Sequence, residues 1–380
     1  MFTQAGFLPA KQGDAVRIRH LVTNLRAAGC LVGIVNLHDP TQLGGVDYVE
    51  MRRNCDYLQF YIQGVEEAPP IRGPWARIPE GFRQICERAV NDFRPDAVYA
   101  QFAYLGPCLR FGAIADRCLR ILDADNNFER RRKALKRQGI RENWATVSRR
   151  GEISVWAHAD ILLAVEPQEC HRLASMHPDK PCLLIPPAPN PLDLGPGVDD
   201  TLLFVGARNP ANVAGLECFL SNSLPSIRQM RPNVQLFIVG GVCDALREGV
   251  IPNVTLLGQQ ASLLEYYRHC GVVLNLAPHL SGVSVKLLEA IAYGKSIVST
   301  ERALPRGFVE RSIVHVHRLP GRMAISVARL LANRAFRVED GRRCLQHAQE
   351  RYSWESIYSP LIRILWRCAE NRASIAQGEC

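Results

Sequence analysis

The segment that decides the fold is Ser281–Thr300, which reads S-G-V-S-V-K-L-L-E-A-I-A-Y-G-K-S-I-V-S-T. Apolar residues recur at helical spacing from about Val283, and Gly294 stands where a glycine is expected to end such a helix. The β-branched run that follows predicts a strand over Ile297–Thr300. A helix that leads directly into a buried strand is typical of a doubly wound α/β sheet.

The beginning of this predicted helix carries groups that suit a diphosphate. Helix N-termini present free backbone N–H groups and the positive end of the helix dipole, and both attract anions. Lys286 lies in the first turn, and Glu289 lies on the same face, where its carboxylate can accept hydrogen bonds from ribose hydroxyls. The alternative is an ordinary i,i+3 surface pair, which is worth only about 0.2–0.5 kcal/mol.

Outside this segment, short apolar runs alternate with longer amphipathic stretches, which is typical of parallel sheets buried on both faces. The strands predicted in the first half are Leu31–Asn36, Tyr57–Ile62, Ala97–Gln101, Leu119–Asp123, Ile161–Val165 and Leu183–Pro186. Those predicted in the second half are Leu202–Val205, Gln235–Val239, Val254–Leu257, Val272–Leu276, Ile297–Thr300 and Ile313–Val316. The predicted helices are Val16–Ala28, Glu80–Phe93, Val213–Arg231, Ser262–His269, Val283–Tyr293, Met323–Ala332 and Trp354–Arg372.

A proline-rich segment separates the two sets of strands. The chain has 380 residues, which exceeds the roughly 100–200 residues of an ordinary domain. Five prolines occur from Pro186 to Pro196 and disfavour both helix and central strand. Pro186–Asp200 is therefore predicted to connect two Rossmann-like α/β domains, which comprise residues 1–190 and 200–350.

The charge distribution indicates an acidic partner. The net charge is +9, and nine basic residues occur between Glu129 and Arg150 against two acidic ones. This cluster is either a solvated helix face or a surface for anionic lipid headgroups, so a peripheral membrane contact through residues 130–150 is one expectation. Nucleic acid is not expected as a partner, because Trp144 is the only aromatic residue in the cluster.

Cysteine usage and hydropathy bear on the compartment. The 13 cysteines are scattered without a C-x-x-C pair, which favours a reducing compartment over a zinc site or a disulfide framework. Met1–Gly13 lacks the cationic start and the long apolar run of a signal peptide, so none is expected, and no run reaches the roughly 20 apolar residues that a membrane span requires. These features predict a cytoplasmic protein, with peripheral binding at the inner face of the membrane as an option.

The run from Gly282 to Thr300 resembles the donor-binding signature of retaining GT-B-fold glycosyltransferases of the family 4 type (glycosyl transferases group 1). That signature is a glycine-rich turn followed by K-x-x-E-A-x-A-x-G-x-P-V-V-S-T. Other segments agree with the family in order and spacing. They are the loop Leu8–Arg17 and the strand ends Phe204–Gly206, Phe237–Gly240 and Val254–Gly258.

The resemblance implies two facing domains with a cleft between them. The first domain would bind the acceptor and the second would bind the nucleotide sugar, while the helix at about residues 354–372 would pack back on the first. Lys286 would contact the diphosphate and Glu289 the ribose. The other donor-side residues that the family pattern implies are Gly13, Arg17, Gly206, Arg208, Gly258, Gly282, Val283 and Ser284.

The implied reaction is transfer of a hexose, with retention, from a UDP-, GDP- or ADP-sugar to a hydroxyl of a glycan or glycolipid precursor, as in polysaccharide biosynthesis (EC 2.4). Charge on the leaving group would be met by the helix N-terminus and by Lys286 and Arg208, the two candidates for a catalytic role. No bound cofactor and no metal are predicted, because the one D-x-D triplet, Asp123-Ala124-Asp125, falls in the first domain. Asp123 and Asn126 follow a strand end there, where they either line the acceptor side or serve an ordinary turn.

Two departures from the family pattern keep other functions open. Ser281 stands where many members carry glutamate, and Ala207 stands where many carry arginine. The alternatives are a nucleotide-sugar epimerase of the same fold and a degenerate, non-catalytic protein that binds nucleotide sugars. Little chain precedes the first glycine loop, which indicates a shortened first strand or a start upstream of Met1.

Overall fold

The structure is a computed structural model. It describes residues 1–4, 8, 13–38, 47–62, 78–115, 117–124, 129–130, 133, 136, 149–187, 189–246, 251–278, 283–304 and 309–377. The chain divides into two compact units. The first unit comprises Met1–Pro187 and Trp354–Cys380, and the second comprises Ala188–His279 and Val283–Ser353.

The first unit is built on a sheet of seven parallel strands in the order β3-β2-β1-β4-β5-β6-β7. The strands are β1 (Phe2–Thr3), β2 (Gly33–His38), β3 (Tyr57–Ile62), β4 (Ala97–Gln101), β5 (Leu119–Ala124), β6 (Ile161–Ala164) and β7 (Cys182–Leu184). The central strands β4, β5 and β6 are mostly apolar and buried, as is typical of strands covered on both faces.

Helices cover this sheet, and one of them is the C-terminal helix. They are α1 (Gly13–Ala27), α2 (Tyr48–Arg53), α3 (Glu80–Phe93), α4 (Phe102–Leu105), α5 (Gly112–Ala115), α6 (Arg149–Trp156), α7 (Pro167–Met176) and the C-terminal Trp354–Gln377, with a 3₁₀ turn over Gly106–Arg110. The C-terminal helix contacts α1 and β7 of the first unit.

The second unit is built on six parallel strands in the order β10-β9-β8-β11-β12-β13. The strands are β8 (Thr201–Val205), β9 (Gln235–Val239), β10 (Val254–Gly258), β11 (Val272–Asn275), β12 (Ser296–Thr300) and β13 (His315–His317). The helices are α8 (Pro210–Asn222), α9 (Leu224–Met230), α10 (Leu264–His269), α11 (Val285–Ala292), α12 (Pro320–Ala332) and α13 (Arg334–Arg351), so the C-terminal helix is α14. Short 3₁₀ turns lie at Gly241–Ala245 and Glu301–Ala303.

Each unit has its own hydrophobic core. In the first, Trp156 and Phe82 are fully buried beside β4 and β5. In the second, Phe204, Leu236 and Val298 of the sheet pack against α8, α9 and α12. The prediction of two doubly wound α/β units is therefore confirmed.

The prediction of a single helix over Val213–Arg231 is wrong. The segment Val213–Arg231 forms two helices, α8 and α9, which meet at Ser223. Pro225 lies in the first turn of α9, where its ring is tolerated, but it has no N–H to donate to the carbonyl of Ser221 and therefore cannot continue α8. The hydroxyl of Ser223 donates to the carbonyl of Pro320, which anchors the junction on α12.

The proline-rich connection is held by buried cations of the second unit. Residues 189–200 have no helix or strand. The Nζ of Lys295 donates to the carbonyl oxygen of Gly195 at 2.7 Å, and the Nε of Arg337 donates to that of Pro196 at 3.1 Å. Both side chains are fully buried and out of reach of water, so these carbonyl oxygens serve as their hydrogen-bond acceptors instead.

The structure bears on the predicted membrane contacts in two places. Among the described residues, no helix is long and apolar enough to cross a bilayer. Most of the basic cluster at residues 130–150 lies outside the described residues. Of the part that is described, Arg130 pairs with the buried Glu166 and Lys133 pairs with Glu129 at 2.6 Å.

Candidate functional site

Glycines form the carboxyl edge of the second sheet. Gly206 and Gly240 directly follow β8 and β9, and Gly258 ends β10. The N–H of Gly206 donates to the carbonyl of Val239 at 3.0 Å, and the N–H of Gly240 donates to that of Gly258 at 2.7 Å. The three glycines therefore adjoin one another at the edge where open α/β sheets bind ligands.

Gly240 is the least replaceable of these glycines. Its backbone, at φ +104° and ψ −178°, lies in a region that only glycine adopts freely. A Cβ atom there would overlap the carbonyl oxygen of Gly206. The ends of β8 and β9 therefore lie so close together that a side chain at Gly240 would not fit between them.

We expect Gly240→Ala to distort this edge and weaken binding of the nucleotide sugar that the family resemblance implies, because strain of about 1–3 kcal/mol adds to the overlap with Gly206. Gly321→Ala is the matched control, since Gly321 lies in α12 of the same unit, away from this edge, with open space around its Cβ position. Calorimetric titration and thermal melting followed by circular dichroism would compare the two variants. Equal losses in both would contradict the edge as a binding surface.

The N-terminus of α11 lies at the same edge, after β11. Ser284 is its N-cap, and the Ser284 hydroxyl oxygen accepts from the N–H of Leu287 at 3.3 Å. Serine is among the preferred caps because it satisfies one of the N–H groups that a helix start leaves without an intrahelical partner. Val283 and Ser284 are both partly exposed. The other N–H groups of this turn remain suited to an anion.

Lys286 and Glu289 form an ion pair on α11 that a third residue supports. Lys286 Nζ lies 3.2 Å from Glu289 Oε2, and the phenol of Tyr267 donates to the same oxygen at 3.1 Å. Tyr267 is fully buried, and burial together with the Glu289 carboxylate raises the pKa of its hydroxyl well above the usual value. The phenol therefore remains a proton donor at neutral pH and fixes the Glu289 carboxylate.

Tyr267 was missed by the sequence analysis. It lies on α10, 22 residues before Glu289, and an aromatic residue at helical spacing gives the same signal as any core residue. The ring also stacks edge-on against Tyr293, with centroids 5.2 Å apart. The support of Glu289 by Tyr267 distinguishes Lys286–Glu289 from an ordinary surface pair.

Arg208 lies in the turn between β8 and α8. Its side chain is exposed, and it forms no ion pair with the described residues. The turn itself is ordered by two asparagines. The Asn209 side chain caps α8 by accepting from the N–H of Asn212 at 2.9 Å, and the Asn212 amide donates to the carbonyl of Ala207 at 2.8 Å. Arg208 thus projects from a fixed turn as a cation available to an anionic ligand.

Two predicted residues of the first unit form a buried ion pair. Arg17 and Asp123 are 2% and 0% exposed, and the guanidinium makes two hydrogen bonds to the carboxylate, both at 2.9 Å. The guanidinium also donates to the carbonyl of Ile185, and the phenol of Tyr99 donates to Asp123. The pair thus joins α1, β4, β5 and the end of β7 near the carboxyl edge of the first sheet.

Gln101, at the end of β4, is a second residue that the sequence analysis missed. Its side chain is 1% exposed, and its Oε1 accepts from the N–H of Gln4 at 3.1 Å. Its Nε2 has no hydrogen-bond partner among the described residues. The next residue, Phe102, has φ +64°, an uncommon conformation for an aromatic residue and one that often marks a functional site. A polar residue at a strand end was the only signal in the sequence.

The remaining predicted residues lie apart from these groups or outside the described residues. Gly13 begins α1 of the first unit. Gly282 and Asn126 lie outside the described residues, as does Asp125. Within the described part of the chain, no group of three or more His, Cys, Asp and Glu side chains could hold a metal ion.

A family model matches part of the second unit. Residues 199–333, from β8 to the end of α12, match the model of the family described as glycosyl transferases group 1. This region contains Lys286, Glu289 and the glycine edge, which is formed by Gly206, Gly240 and Gly258. No curated protein sequence matches the chain significantly.

Solved structures of similar fold cover nearly the whole chain. Sucrose-phosphate synthase from Thermosynechococcus elongatus is 16% identical, with a TM-score of 0.66 over 97% of this chain and 98% of that one. Anabaena HepE, solved with UDP and glucose, is 12% identical, with a TM-score of 0.61 over 96% and 98%. WaaG, a glycosyltransferase involved in lipopolysaccharide biosynthesis, is 12% identical, with a TM-score of 0.59 over 96% and 98%.

These similarities establish the fold as that of the GT-B glycosyltransferases.

Proposed function

We propose that this protein transfers a sugar, with retention, from a nucleotide-sugar donor to an acceptor hydroxyl of a glycan or glycolipid precursor. The second unit binds the donor and the first unit binds the acceptor. The observation that carries the proposal is the Lys286–Glu289–Tyr267 arrangement at the start of α11, within the residues that match the family model.

In this proposal the donor diphosphate lies against the N-terminus of α11. Backbone N–H groups of Val283 and Ser284 donate to its oxygens, and Lys286 and Arg208 supply positive charge. Glu289, held by Tyr267, accepts from the ribose hydroxyls. The glycine edge lets the nucleotide approach the backbone closely. That HepE was solved with UDP and glucose supports a nucleotide sugar as the co-substrate.

Transfer requires that negative charge on the departing nucleotide be stabilised as the glycosidic bond breaks. Lys286, Arg208 and the α11 dipole are fixed groups that do this without rearrangement, which is the efficient form of electrostatic catalysis. The proposal needs no metal. The acceptor hydroxyl attacks the same face that the nucleotide leaves, and this gives retention without a protein nucleophile.

On the acceptor side we propose Gln101 and Asp123 in different roles. The Nε2 of Gln101, which has no hydrogen-bond partner among the described residues, is a donor for a sugar hydroxyl. Asp123 is a positioning residue, since its oxygens are occupied by Arg17 and Tyr99. We also propose Asn126 for the acceptor side and Gly13 for the donor side. The basic residues 130–150 would contact anionic lipid from the cytoplasmic side.

The test is a calorimetric titration of the whole chain with UDP-, GDP- and ADP-sugars, beside Glu289→Ala and Glu289→Gln. We expect one nucleotide class to bind and Glu289→Ala to weaken it about tenfold or more, the loss of a hydrogen bond to a charged group. Glu265→Ala is the matched control, because Glu265 belongs to an exposed i,i+3 pair with Arg268 in the same unit. It should bind as the wild type does.

Three outcomes decide among the candidates. Failure of the folded wild type to bind any nucleotide sugar would contradict the transferase and leave the fold alone. Binding with conversion of the donor sugar in the absence of any acceptor would identify an epimerase. Binding without transfer or hydrolysis, with every acceptor pool supplied, would identify a non-catalytic protein.

A further inference from the structure

Two thiols of the first unit contact each other at its surface. Cys170 lies in the first half of α7, and Cys182 is the first residue of β7. Their sulfur atoms are 3.3 Å apart, and both side chains are partly exposed. Neither residue belongs to the groups assigned to donor or acceptor above.

The surroundings make Cys170 the more reactive of the two. A hydrogen bond from the Cys182 thiol stabilises the Cys170 thiolate and lowers the pKa of Cys170, while the same contact raises the pKa of Cys182. Cys170 is the fourth residue of α7, close to the positive end of the helix dipole. The neighbouring Glu169 acts against the thiolate, but its carboxylate is paired with Arg172 at 3.0 Å.

We propose that Cys170 and Cys182 are a modification site that a hydroperoxide converts into a reversible disulfide. The Cys170 thiolate attacks one peroxide oxygen, the O–O bond breaks, and after one proton is taken up a sulfenic acid and one water are formed. The Cys182 sulfur then attacks the Cys170 sulfur, an S–S bond forms, and a second water leaves with the Cys182 proton. Two thiols and one hydrogen peroxide thus give one disulfide and two waters.

A second thiol pair in the same unit provides an internal comparison. Cys86 and Cys108 are also hydrogen-bonded to each other, but both are 0% exposed within the core. Burial raises the pKa of Cys86 well above its usual value, with Cys108 adding to the effect. Thiolate character and access to the oxidant are both needed, so the pair in the core should remain reduced.

The disulfide would tie α7 to β7 across a closed loop. The strand β7 leads directly to Ile185, whose carbonyl accepts from Arg17, and α7 follows Glu166, which pairs with Arg130. Oxidation therefore restrains the segment that delivers Ile185 to the buried ion pair. We expect backbone hydrogen exchange over α7 and β7 to be slower in the oxidised protein than in the reduced protein.

The experiment oxidises the full chain with hydrogen peroxide, blocks free thiols with iodoacetamide and maps tryptic peptides by mass spectrometry. Cleavage after Arg172 places the two cysteines in different peptides, Gly151–Arg172 and Leu173–Arg208, and each contains no other cysteine. We expect these peptides joined, with loss of two hydrogen atoms, and separated again by dithiothreitol. Peptides with Cys86 and Cys108 should carry the blocking group.

Cys170→Ser and Cys182→Ser should each abolish the joined peptide, whereas Cys218→Ser, which removes an exposed thiol, should leave it unchanged. Slower hydrogen exchange in the oxidised wild type tests the same proposal without any variant. Recovery of Cys170 and Cys182 as blocked thiols, under conditions that oxidise Cys218, would overturn the proposal. Oxidation of Cys170 to sulfinic acid without a joined peptide would overturn it as well.

Discussion

Replacing Lys286 with alanine is expected to lower kcat/KM for release of nucleotide from the donor by about 10²–10³-fold, the loss seen when one fixed electrostatic donor is removed. Lys286 is partly exposed, with its Nζ 3.2 Å from Glu289, so it can reach a ligand while its partner holds it in place. The rate is measured by a coupled assay for free nucleotide, with the donor identified by calorimetry. Lys286→Arg, which keeps the charge but changes its geometry, should retain part of the activity.

The control for this prediction is another i,i+3 pair in the same unit. Glu265 and Arg268 on α10 lie 3.5 Å apart and are 75% and 51% exposed. Arg268→Ala removes the same kind of surface pair without touching the site, so kcat/KM should stay within about twofold, as expected when only about 0.2–0.5 kcal/mol is at stake. If Lys286→Ala had an equally small effect, Lys286 would be an ordinary surface residue and the proposed donor site would lose its main cation.

Replacing Arg17 with methionine is expected to lower the free energy of unfolding of the first unit by about 3–5 kcal/mol. The change leaves the Asp123 carboxylate buried without its bidentate partner, and Tyr99 alone does not compensate for a buried charge. All five tryptophans lie in the first unit. Urea unfolding followed by tryptophan fluorescence therefore reports on this unit and not on the second.

Two further variants test whether the loss comes from the buried charge. Arg26→Met removes the partner of Asp56 in a partly exposed pair at 3.5 Å, which should cost less than about 1 kcal/mol. Arg17→Met combined with Asp123→Leu removes both charges and should recover much of the loss, because apolar replacements of a buried pair are often tolerated. If Arg17→Met unfolded at the same urea midpoint as Arg26→Met, the structural role of the Arg17–Asp123 pair would be contradicted.

Much of the fold was predictable because its strands are locally distinctive. Tyr57–Ile62 and Gln235–Val239 have the predicted bounds, since a short apolar run between polar turns has few other interpretations. Other elements carried weaker signals. The strand Phe2–Thr3 is too short to show any period, and α13 is so rich in charged residues that its apolar face is thin.

The candidate site was predictable only where its residues are close in sequence. Lys286, Glu289 and Ser284 belong to one helix start, so their spacing brings them together in any correct fold. Tyr267 and the Arg17–Asp123 pair depend on contacts across 22 and 106 residues. Periodicity reports on single elements and carries no information about which elements are neighbours, so these partners became visible only in three dimensions.

The anchoring of residues 189–200 has a practical consequence for dividing the chain. A fragment that began at Thr201, where β8 starts, would keep Lys295 and Arg337 but discard the carbonyls of Gly195 and Pro196, to which they donate. The Nζ of Lys295 would then lose its acceptor inside an apolar interior, and Arg337 would keep only the carbonyls of Leu330 and Leu331, so the fragment would aggregate or fold poorly. Residues 189–200 resemble a linker in sequence but supply acceptors to the interior of the second unit. A fragment of this unit should therefore begin no later than Pro189.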